Sequence, residues 1–472
     1  MQQHADQYIG GGWRPSLGGG ALEVRNPATE EVIATVAAGT AADVDAAVAA
    51  ARAAARDWGL TSREERLAPL TRLRDGLAAR QQEIAETIVA EQGSPIGFAT
   101  GVQAALPLLV ASSYVELLAG YEFQEKIGNS TVYAEPAGVV AAITPWNYPL
   151  HQVVAKVLPA LAAGCTVVLK PAEDTPLVAR LFAELVDQAG FPAGVFNLVT
   201  GVGSEVGAAL AAHPGVDLVS FTGSTAVGRS IAEHAGRGIK KVALELGGKS
   251  ANVVLPGADL GRAVNVNAAN VFANSGQTCT AWTRLLVHQD QYEEAVAIAA
   301  KAAAKYQPGD PTSAETRMGP LVSAKQRERV RGYIRAGVEQ GARLVVGGAE
   351  APNGLPTGYY VQPTVLADVT PEMTVAQEEI FGPVLSIIAY RDEDHALEIA
   401  NGTEYGLAGG VWAADEATAA AFARRMDAGQ VDINGGRFNP LAPFGGYKSS
   451  GVGRELGRHG LEEFLQTKSI QF

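Results

Sequence analysis

Two short segments of the chain carry the residue types that covalent catalysis requires. Cys279, one of two cysteines among 472 residues, lies in the small polar segment 274–280 rather than in an apolar run. A nucleophilic thiol needs partial exposure and nearby N–H donors, although a lone loop cysteine is more often inert. The segment 244–249 places the carboxyl group of Glu245 among apolar and glycine neighbours, directly after a short apolar run. Together the two segments predict a nucleophile and a general base.

Three other segments have features of a nucleotide site. Lys170 and Glu173 follow an apolar run, where a carboxylate accepts both ribose hydroxyls and repels a 2′-phosphate, which favours NAD over NADP. A solvated charged turn would contain the same two residues and is the alternative interpretation of Lys170 and Glu173. Gly223 and Ser224 precede a predicted helix, whose free N–H groups would bind phosphate, although an ordinary helix cap looks the same. Residues 201–207 have three residues between their last two glycines instead of two, so their resemblance to a dinucleotide fingerprint carries little weight.

The hydrophobic pattern predicts the elements that position these groups. Residues 40–90 are alanine-rich with helical periodicity. Beyond Gly138, short apolar runs alternate with helical patterns, as the following segments show: 139–143, 153–161, 166–169, 177–189, 196–199, 206–211, 218–221 and 227–235. Strands that are buried on both faces and joined by crossover helices form a doubly wound parallel sheet.

A second α/β series begins after Gly247. It consists of predicted strands over 251–255 and 284–288 with a helix over 262–273 between them. The fold class is therefore α/β, with two such layers and a cleft between them. Ligands bind at the carboxyl ends of strands in open parallel sheets. The residues expected at those ends are Asn147, Lys170, Gly223 and Glu245.

Composition and charge exclude several classes of function. The net charge of −13 argues against a nucleic-acid surface. Seven scattered histidines suggest no metal site. We expect the apolar runs to be interrupted before the ~18 residues that a membrane span needs, and the N-terminal residues lack a secretory pattern, which predicts a cytoplasmic protein. Cys165 lies within an apolar run and is predicted to be core. The β-like segment 463–472 has no obvious local partner and predicts pairing with another subunit.

The order of the motifs resembles that of a known family. Eight segments carry the resemblance, namely 144–149, 170–173, 221–225, 244–249, 276–279, 377–383, 401–407 and 443–451. Each is weak alone, but in this order they resemble the aldehyde dehydrogenase superfamily, specifically its NAD(P)-dependent non-acylating members. The resemblance covers nearly the whole chain.

The resemblance implies a fold of three parts and an oligomer. The implied NAD-binding domain comprises residues 1–120 and 136–247, and the implied catalytic domain comprises residues 248–450. Residues 121–135 and 451–472 would form a small β arm for oligomerisation into a homodimer or homotetramer. Both larger domains would be Rossmann-like.

The resemblance also implies roles for particular residues. Cys279 would be the nucleophile, Glu245 the general base and Asn147 an oxyanion-hole donor. Implied cofactor contacts are Lys170 and Glu173 on the adenosine ribose, Trp146, Gly223 and Ser224 near the pyrophosphate, and Glu379 and Phe381 beside the nicotinamide ribose. The implied reaction oxidises an aldehyde with NAD through a cysteine hemithioacetal and a thioester, which water activated by Glu245 hydrolyses.

The substrate is less defined than the reaction. The pocket is expected to draw on Tyr148, His151, Thr278, Thr280, Trp282, Arg437, Phe438 and Phe444. Its aromatic members favour an aromatic or medium-chain aliphatic aldehyde. Alternatively, Arg437 pairs with a distal carboxylate, which would indicate a semialdehyde.

Two other functions compete with aldehyde oxidation. One is a reductase that uses NADPH on an acyl phosphate or acyl-CoA, against which Glu245 and Glu173 both argue. The other is a catalytically silent relative that serves as a binding or structural protein. Retention of the nucleophile, the base, the oxyanion donor and the cofactor carboxylate argues against it.

Overall fold

A computed structural model describes residues 2–472 of the chain. Its N-terminal part, for which the hydrophobic pattern predicts no element, contains five short strands. These are β1 (Gln2–His4), β2 (Asp6–Tyr8), β3 (Trp13–Pro15), β4 (Gly20–Arg25) and β5 (Val32–Ala38). Helices follow, as the alanine-rich pattern predicts. They are α1 (Ala41–Gly59), α2 (Arg63–Ala79), α3 (Gln81–Gln92), α4 (Ile96–Phe98) and α5 (Ala105–Gly120), with a π-helical stretch at Ala99–Ala104.

Strands and helices then alternate through the first α/β unit. A hairpin comes first, formed by β6 (Gln124–Ile127) and β7 (Ser130–Pro136). The alternating elements are β8 (Val139–Ile143), α6 (Pro149–Ala163), β9 (Thr166–Lys170), α7 (Pro176–Ala189), β10 (Phe196–Leu198), α8 (Ala208–Ala212), β11 (Leu218–Thr222), α9 (Thr225–Arg237) and β12 (Lys241–Glu245).

The second α/β unit is longer and ends with small elements. Its first half contains β13 (Ala251–Val254), α10 (Leu260–Phe272), β14 (Arg284–His288), α11 (Tyr292–Ala303), α12 (Ala324–Glu339), β15 (Arg343–Val346) and β16 (Thr364–Ala367). The remaining elements are α13 (Thr374–Gln377), β17 (Val384–Tyr390), α14 (Glu393–Asn401), β18 (Tyr405–Gly406), β19 (Ala408–Trp412), α15 (Glu416–Ala423), β20 (Gln430–Ile433), β21 (Tyr447–Lys448), β22 (Gly451–Val452), α16 (Gly457–Glu462) and β23 (Leu465–Gln471).

Two large sheets confirm the α/β prediction. The first has the order β22-β12-β11-β8-β9-β10-β2-β3, and its five central strands run parallel. The second has the order β15-β16-β17-β14-β13-β19-β20, and all its strands except β15 are parallel. Strands β8, β9, β11 and β13 are buried along their whole lengths. This burial explains why they appear in the sequence as continuous apolar runs.

A third, smaller sheet has the order β23-β7-β6. The terminal strand pairs antiparallel with β7 of the same chain, from Leu465 to Gln471. Residues 451–464 differ from the expected arm. Strand β22 pairs with β12 of the first large sheet, and α16 lies against α5 and α6. The part of the 451–472 segment that joins the arm sheet is therefore β23.

One helical stretch has the length and composition of a membrane span. Ile96–Gly120 spans 25 residues and contains an 18-residue window with a mean hydropathy of 1.5. A core helix meets the same criterion. In this chain Val110, Tyr114 and Leu118 are buried in the same hydrophobic cluster as α6, and 44% of the window is buried.

Candidate active site

The carboxyl ends of the first parallel sheet gather the predicted residues at one edge. Glu245 is the last residue of β12, and Gly223 directly follows β11. Asn147 lies in the loop after β8, and Lys170 ends β9. These four strands are neighbours in the sheet and run parallel, so residues up to 98 positions apart in sequence lie along one edge. This is the placement expected for a ligand site.

Cys279 comes to this edge from the second unit, through a tight turn after α10. Asn274, Ser275 and Gly276 all have positive φ angles of 50°, 57° and 73°. A Cβ on Gly276 would collide with the backbone of Gly382, so only glycine permits this approach of the two loops. The thiol residue itself is partly exposed, whereas Cys165 is fully buried as predicted.

Gly248 fixes the distance between the two units at the site. A Cβ on this residue would collide with the carbonyl oxygen of Cys279. Its N–H donates to the Oε1 atom of Glu379 at 3.0 Å. The glycines after Glu245 therefore let the cysteine loop and the Glu379 loop lie against the end of β12.

Asn147 is held by a buried amide network. It is 3% exposed, and its side-chain amide donates to the carbonyl oxygen of Gln277 at 3.0 Å. The side chains of Gln103 and Asn274 both donate to the backbone carbonyl of Asn147 at 2.9 Å. These bonds lock the loop after β8 to the cysteine loop.

Burial and charge raise the pKa values of both predicted catalytic groups. Burial raises the pKa of the Cys279 thiol well above its usual value, and the Glu245 and Glu379 carboxyl groups add to this, while the backbone N–H groups of Cys279 and Thr280 lower it. Burial also raises the pKa of Glu245, which is 2% exposed. A side-chain hydrogen bond with Cys279 opposes the rise at Glu245, whereas the Glu245 charge disfavours ionisation of the thiol, so the pair favours carrying at most one charge.

A buried ion pair lies behind Glu245 and was not anticipated from the sequence. The Nζ atom of Lys156, on the fully buried helix α6, contacts the carboxylate of Glu455 and donates to Thr222 Oγ1 at 2.6 Å. After burial, Glu455 makes the largest contribution to the raised pKa of Glu245, and Lys156 opposes it. The sequence signal for this ion pair was a lysine inside the apolar run 153–161, because a buried cation needs a partner of opposite charge. Its partner lies 299 residues away in the sequence.

Two cavities meet at Cys279. The first, of about 260 Å³, is lined by backbone and polar groups near the strand ends, namely Pro145, Trp146, Asn147, Thr222, Gly223, Ser224, Glu245, Leu246, Gly247, Cys279, Gln326, Arg329, Glu379 and Phe381. It is called the strand-end cavity below. Six of the expected cofactor and base residues therefore line one cavity with the thiol. Gln326 and Arg329 on α12 are further lining residues, and no motif in the sequence marks them.

Several groups of the strand-end cavity have defined partners. Ser224 begins α9, and its hydroxyl accepts a bond from the Val227 N–H at 3.4 Å. Trp146 packs edge-on against Phe381, with 5.3 Å between ring centroids. Burial raises the pKa of Glu379 to about 7. The cavity thus combines an aromatic wall, a helix N-terminus and a carboxyl group.

Lys170 and Glu173 lie outside the lining of the strand-end cavity, at the neighbouring end of β9. Lys170 Nζ donates to Glu173 Oε2 at 3.0 Å. Burial raises the pKa of Glu173, but Lys170 and hydrogen bonds outweigh it and hold this pKa below its usual value. A Cβ on Gly203 would lie 3.8 Å from that carboxylate. The 201–207 segment, given little weight from its spacing, therefore lies beside the predicted ribose carboxylate.

The second cavity, of about 380 Å³, opens on the other side of Cys279 and is called the aromatic cavity below. Its lining comprises Phe98, Val102, Leu106, Tyr148, His151, Gln152, Val266, Ala269, Asn270, Ala273, Thr278, Cys279, Thr280, Trp282, Gln430, Asp432, Gly435, Gly436, Phe438 and Phe444. Seven of the eight expected pocket residues are present. Arg437 is the exception, since its side chain is exposed and it does not line the cavity. Sequence position alone could not show which way this loop residue points.

Three polar residues of the aromatic cavity, Tyr148, His151 and Thr278, carry no charge near pH 7. The hydroxyl groups of Tyr148 and Thr278 are hydrogen-bonded at 2.9 Å. Burial lowers the pKa of His151 to about 4, so this imidazole is neutral near pH 7. No group of three or more His, Cys, Asp or Glu side chains suited to a metal ion occurs among residues 2–472.

Known proteins resemble this chain over nearly its whole length. The sequence profile of the Aldehyde dehydrogenase family matches residues 13–470. A 3-succinoylsemialdehyde-pyridine dehydrogenase from Pseudomonas sp is 46% identical over 476 residues, covering 100% of this chain and 99% of that protein.

Solved structures of related proteins also match this chain over nearly its whole length. A mutant of aldehyde dehydrogenase C from Pseudomonas syringae, in complex with NAD+ and octanal, is 48% identical with a TM-score of 0.98, over 99% of this chain and 96% of the other. An aldehyde dehydrogenase from Mycobacterium tuberculosis, complexed with NAD+, is 42% identical with a TM-score of 0.97, over 100% and 98% of the two chains. The chain therefore belongs to the aldehyde dehydrogenase family, whose members oxidise aldehydes.

Proposed function

We propose that the protein is an NAD-dependent, non-acylating aldehyde dehydrogenase that converts an aromatic or medium-chain aliphatic aldehyde to its carboxylic acid. The observation that carries the proposal is the position of Cys279 at the junction of the two cavities. A thiol so placed reaches an aldehyde from the aromatic cavity and a cofactor from the strand-end cavity.

The residues of the strand-end cavity fit NAD. Ser224 and the α9 N-terminus offer N–H groups to a pyrophosphate. The Glu379 carboxyl group and the Phe381 ring are suited to a ribose, and the Glu173 carboxylate lies where a second ribose would sit. NAD, when bound, supplies the acceptor for the hydride that leaves the substrate carbon. Two solved relatives with NAD+ support this choice of cofactor, and Glu173 favours NAD over NADP because its charge repels a 2′-phosphate.

Cys279 and its neighbours carry out the first chemical step. The thiol gives its proton to Glu245, whose own pKa is raised, and the sulfur attacks the aldehyde carbonyl to form a hemithioacetal. The Asn147 side-chain amide and the Cys279 backbone N–H stabilise the oxyanion. Loss of one such donor typically costs ~2.7–4 kcal/mol of transition-state stabilisation.

Glu245 completes the cycle after oxidation leaves a thioester on Cys279. Glu245 first releases the thiol proton to bulk water. Its carboxylate then removes a proton from the water molecule that attacks the thioester carbon, the Cys279 thiolate is expelled and regains a proton, and the acid is the product. A pKa raised towards neutrality suits a base that must release this proton again. The presence of this carboxyl group also favours hydrolysis over transfer to coenzyme A, because coenzyme A-dependent relatives typically lack it.

The aromatic cavity supports the substrate class. Rings from Phe98, Tyr148, Trp282, Phe438 and Phe444 line it, and such walls bind aromatic or extended aliphatic groups. The octanal bound to the Pseudomonas syringae relative is a medium-chain aldehyde. The name of the Pseudomonas sp relative contains a semialdehyde and a pyridine. A semialdehyde is therefore the second candidate for the substrate of this protein. Recognition of a distal carboxylate by Arg437 has no support, because that side chain lies off the wall.

The arm sheet supports assembly into a homodimer or homotetramer. Strand β23 is paired on one edge by β7, and its residues after Leu465 are exposed. An exposed strand edge is a surface for pairing with another copy. Light scattering after size exclusion would give the mass in solution, and a monomer would contradict this part of the proposal.

The proposed reaction is tested by following NADH release with hexanal, with and without coenzyme A. We expect hexanoic acid as the product in both cases and no hexanoyl-coenzyme A. The Cys279→Ala variant should retain NAD binding, measured by calorimetry, and produce no NADH. Equal turnover by this variant, or a strict need for coenzyme A, would overturn the proposal.

A further inference from the structure

Strand β20 presents two polar side chains to the aromatic cavity. Its sequence is Gln430-Val-Asp-Ile433, and side chains alternate between the two faces of a strand. Gln430 and Asp432 line the cavity, whereas Val431 and Ile433 pack against a hydrophobic core cluster of the second unit. The alternation therefore fixes Asp432 on the cavity side of the strand.

The rest of the lining offers no charge to balance this carboxyl group. Among the described residues that line the aromatic cavity, none is a lysine or an arginine, and Asp432 is the one carboxylic acid. His151, the one imidazole there, is neutral near pH 7 because burial lowers its pKa to about 4. The thiol of Cys279 also resists ionisation, since burial raises its pKa.

Asp432 has one side-chain partner in the wall itself. Its Oδ1 atom accepts a hydrogen bond from Gln430 Nε2 at 2.9 Å. Burial raises the pKa of Asp432, and this bond opposes the rise. A neutral amide orients the carboxyl group without cancelling its charge, so an anion that enters the cavity meets a like charge in a partly desolvated setting.

We infer that Asp432 is a specificity-determining residue through which the aromatic cavity rejects aldehydes that carry a second, anionic group and selects uncharged ones. This inference rests on the proposed function and names its substrate class more narrowly. An aldehyde whose carbonyl reaches Cys279 lays its remaining chain along the wall that contains Asp432. A carboxylate on that chain is repelled, whereas a methyl or phenyl terminus is not. Semialdehydes of the carboxylate type are therefore disfavoured by charge.

The test compares two aldehydes of equal chain length, hexanal and 6-oxohexanoate. For the unmodified protein we expect kcat/KM to be at least about tenfold higher for hexanal, a size typical of one like charge at a partly buried site. In Asp432→Asn, which keeps the shape and the bond to Gln430, this ratio should fall about tenfold. Asp432→Ser provides a second neutral variant if the first folds poorly by circular dichroism.

The matched control is Asp290→Asn. Asp290 is 78% exposed in its side chain and lines neither cavity, so this variant should keep both the activity and the ratio. A ratio in Asp432→Asn within twofold of the unmodified protein would overturn the inference. Equal use of both aldehydes by the unmodified protein would overturn it as well.

A binding measurement separates this inference from the proposed reaction. Hexanamide and 6-amino-6-oxohexanoate are stable analogues, each with an amide in place of the aldehyde, that differ by the distal carboxylate. Calorimetry should show weaker binding of the anionic analogue to the unmodified protein and a smaller difference in Asp432→Asn. If neither aldehyde is oxidised with NAD while this difference persists, the proposed function fails and the charge selection stands. If hexanal is oxidised but the analogues bind alike, the selection fails and the function stands.

Discussion

The two cavities that meet at Cys279 are built in different ways. The strand-end cavity is formed mainly by short loops that follow neighbouring parallel strands, and glycines such as Gly247 and Gly248 bring those loops together. The aromatic cavity takes its wall from widely separated elements, including Phe98 on α4, His151 on α6, Val266 on α10 and Asp432 on β20. Backbone geometry therefore defines the first cavity, and individual side chains define the second.

This difference indicates where the chemistry is fixed and where it can change. A loop that must approach another backbone closely tolerates few substitutions, because a Cβ on Gly248 or Gly276 would collide with backbone atoms. A side chain on the aromatic wall can be exchanged without moving the strand or helix that carries it. Variants on the two sides should thus affect different kinetic constants.

The largest effect is expected at the base. Glu245→Gln should lower steady-state turnover by roughly 10²- to 10⁴-fold, the usual contribution of a general base, because hydrolysis of the thioester needs a carboxylate. Acylation should slow less than hydrolysis, because the partly exposed Cys279 thiol can also lose its proton to bulk water, so the first burst of NADH, measured by stopped flow, should persist. The exposed Glu233→Gln is the control. A variant that loses the burst but keeps normal hydrolysis would reverse this assignment.

Asn147→Ala should reduce kcat by about 10²- to 10³-fold, since it removes one donor to the oxyanion. The KM for NAD should change little, because the amide acts on the aldehyde oxygen. Steady-state kinetics with hexanal measure both constants, and Asn129→Ala on the arm serves as the control. Nearly unchanged kcat would show that the amide has only a structural bond to Gln277.

Glu379→Gln should raise the KM for NAD by about tenfold, the range for losing a charged hydrogen-bond acceptor, and leave the KM for hexanal within about twofold. Its exposed neighbour Glu378 bonds to Tyr333 instead, so Glu378→Gln is a matched control. If the KM for hexanal rises and the KM for NAD does not, the strand-end cavity binds the aldehyde and not NAD.

On the aromatic side, Phe438→Ala should raise the KM for hexanal about two- to tenfold, with the KM for NAD unchanged. The ring stacks edge-on against Phe444 at 6.0 Å, and such pairs contribute ~0.5–1.5 kcal/mol. Leu441→Ala, in the same loop but 61% exposed, should have no effect. An equal response to both alanine substitutions would remove Phe438 from the binding wall.

The smallest effect is a shift in pH dependence. Glu455→Gln removes a negative neighbour that raises the pKa of Glu245, so the pKa of Glu245 should fall. Because the base acts when deprotonated, the acidic limb of the kcat profile should move to lower pH and activity at low pH should increase. Glu462→Gln, at the surface, is the control. A limb that stays in place or moves to higher pH would contradict this electrostatic coupling.

The sequence predicted the groups that lie in local motifs at strand ends. Glu245 and Gly223 directly follow apolar runs, and the edge they share is a consequence of parallel topology, so the order of the motifs was enough to predict their proximity. Local sequence patterns did not predict contacts between segments that are distant in the chain. Lys156 and Glu455 meet across 299 residues, and no local pattern marks Glu455 as the partner.

The sequence also could not predict the direction in which side chains of irregular loops point. Arg437 was a candidate to bind a substrate carboxylate, but it points to solvent, while Asp432 on the preceding strand faces the cavity. A strand has a fixed alternation, and a glycine-containing loop has none. The sequence therefore suggested Arg437 as an alternative contact and did not mark Asp432.

The most direct test of the account is the mass of the Glu245→Gln protein after incubation with NAD and hexanal. Because hydrolysis is slowed, intact mass spectrometry should show a gain of one hexanoyl group, located on Cys279 by peptide mapping and absent when NAD is omitted. An acyl group on any other residue, or steady NADH production by Cys279→Ala, would contradict the claim that Cys279 joins the two cavities chemically.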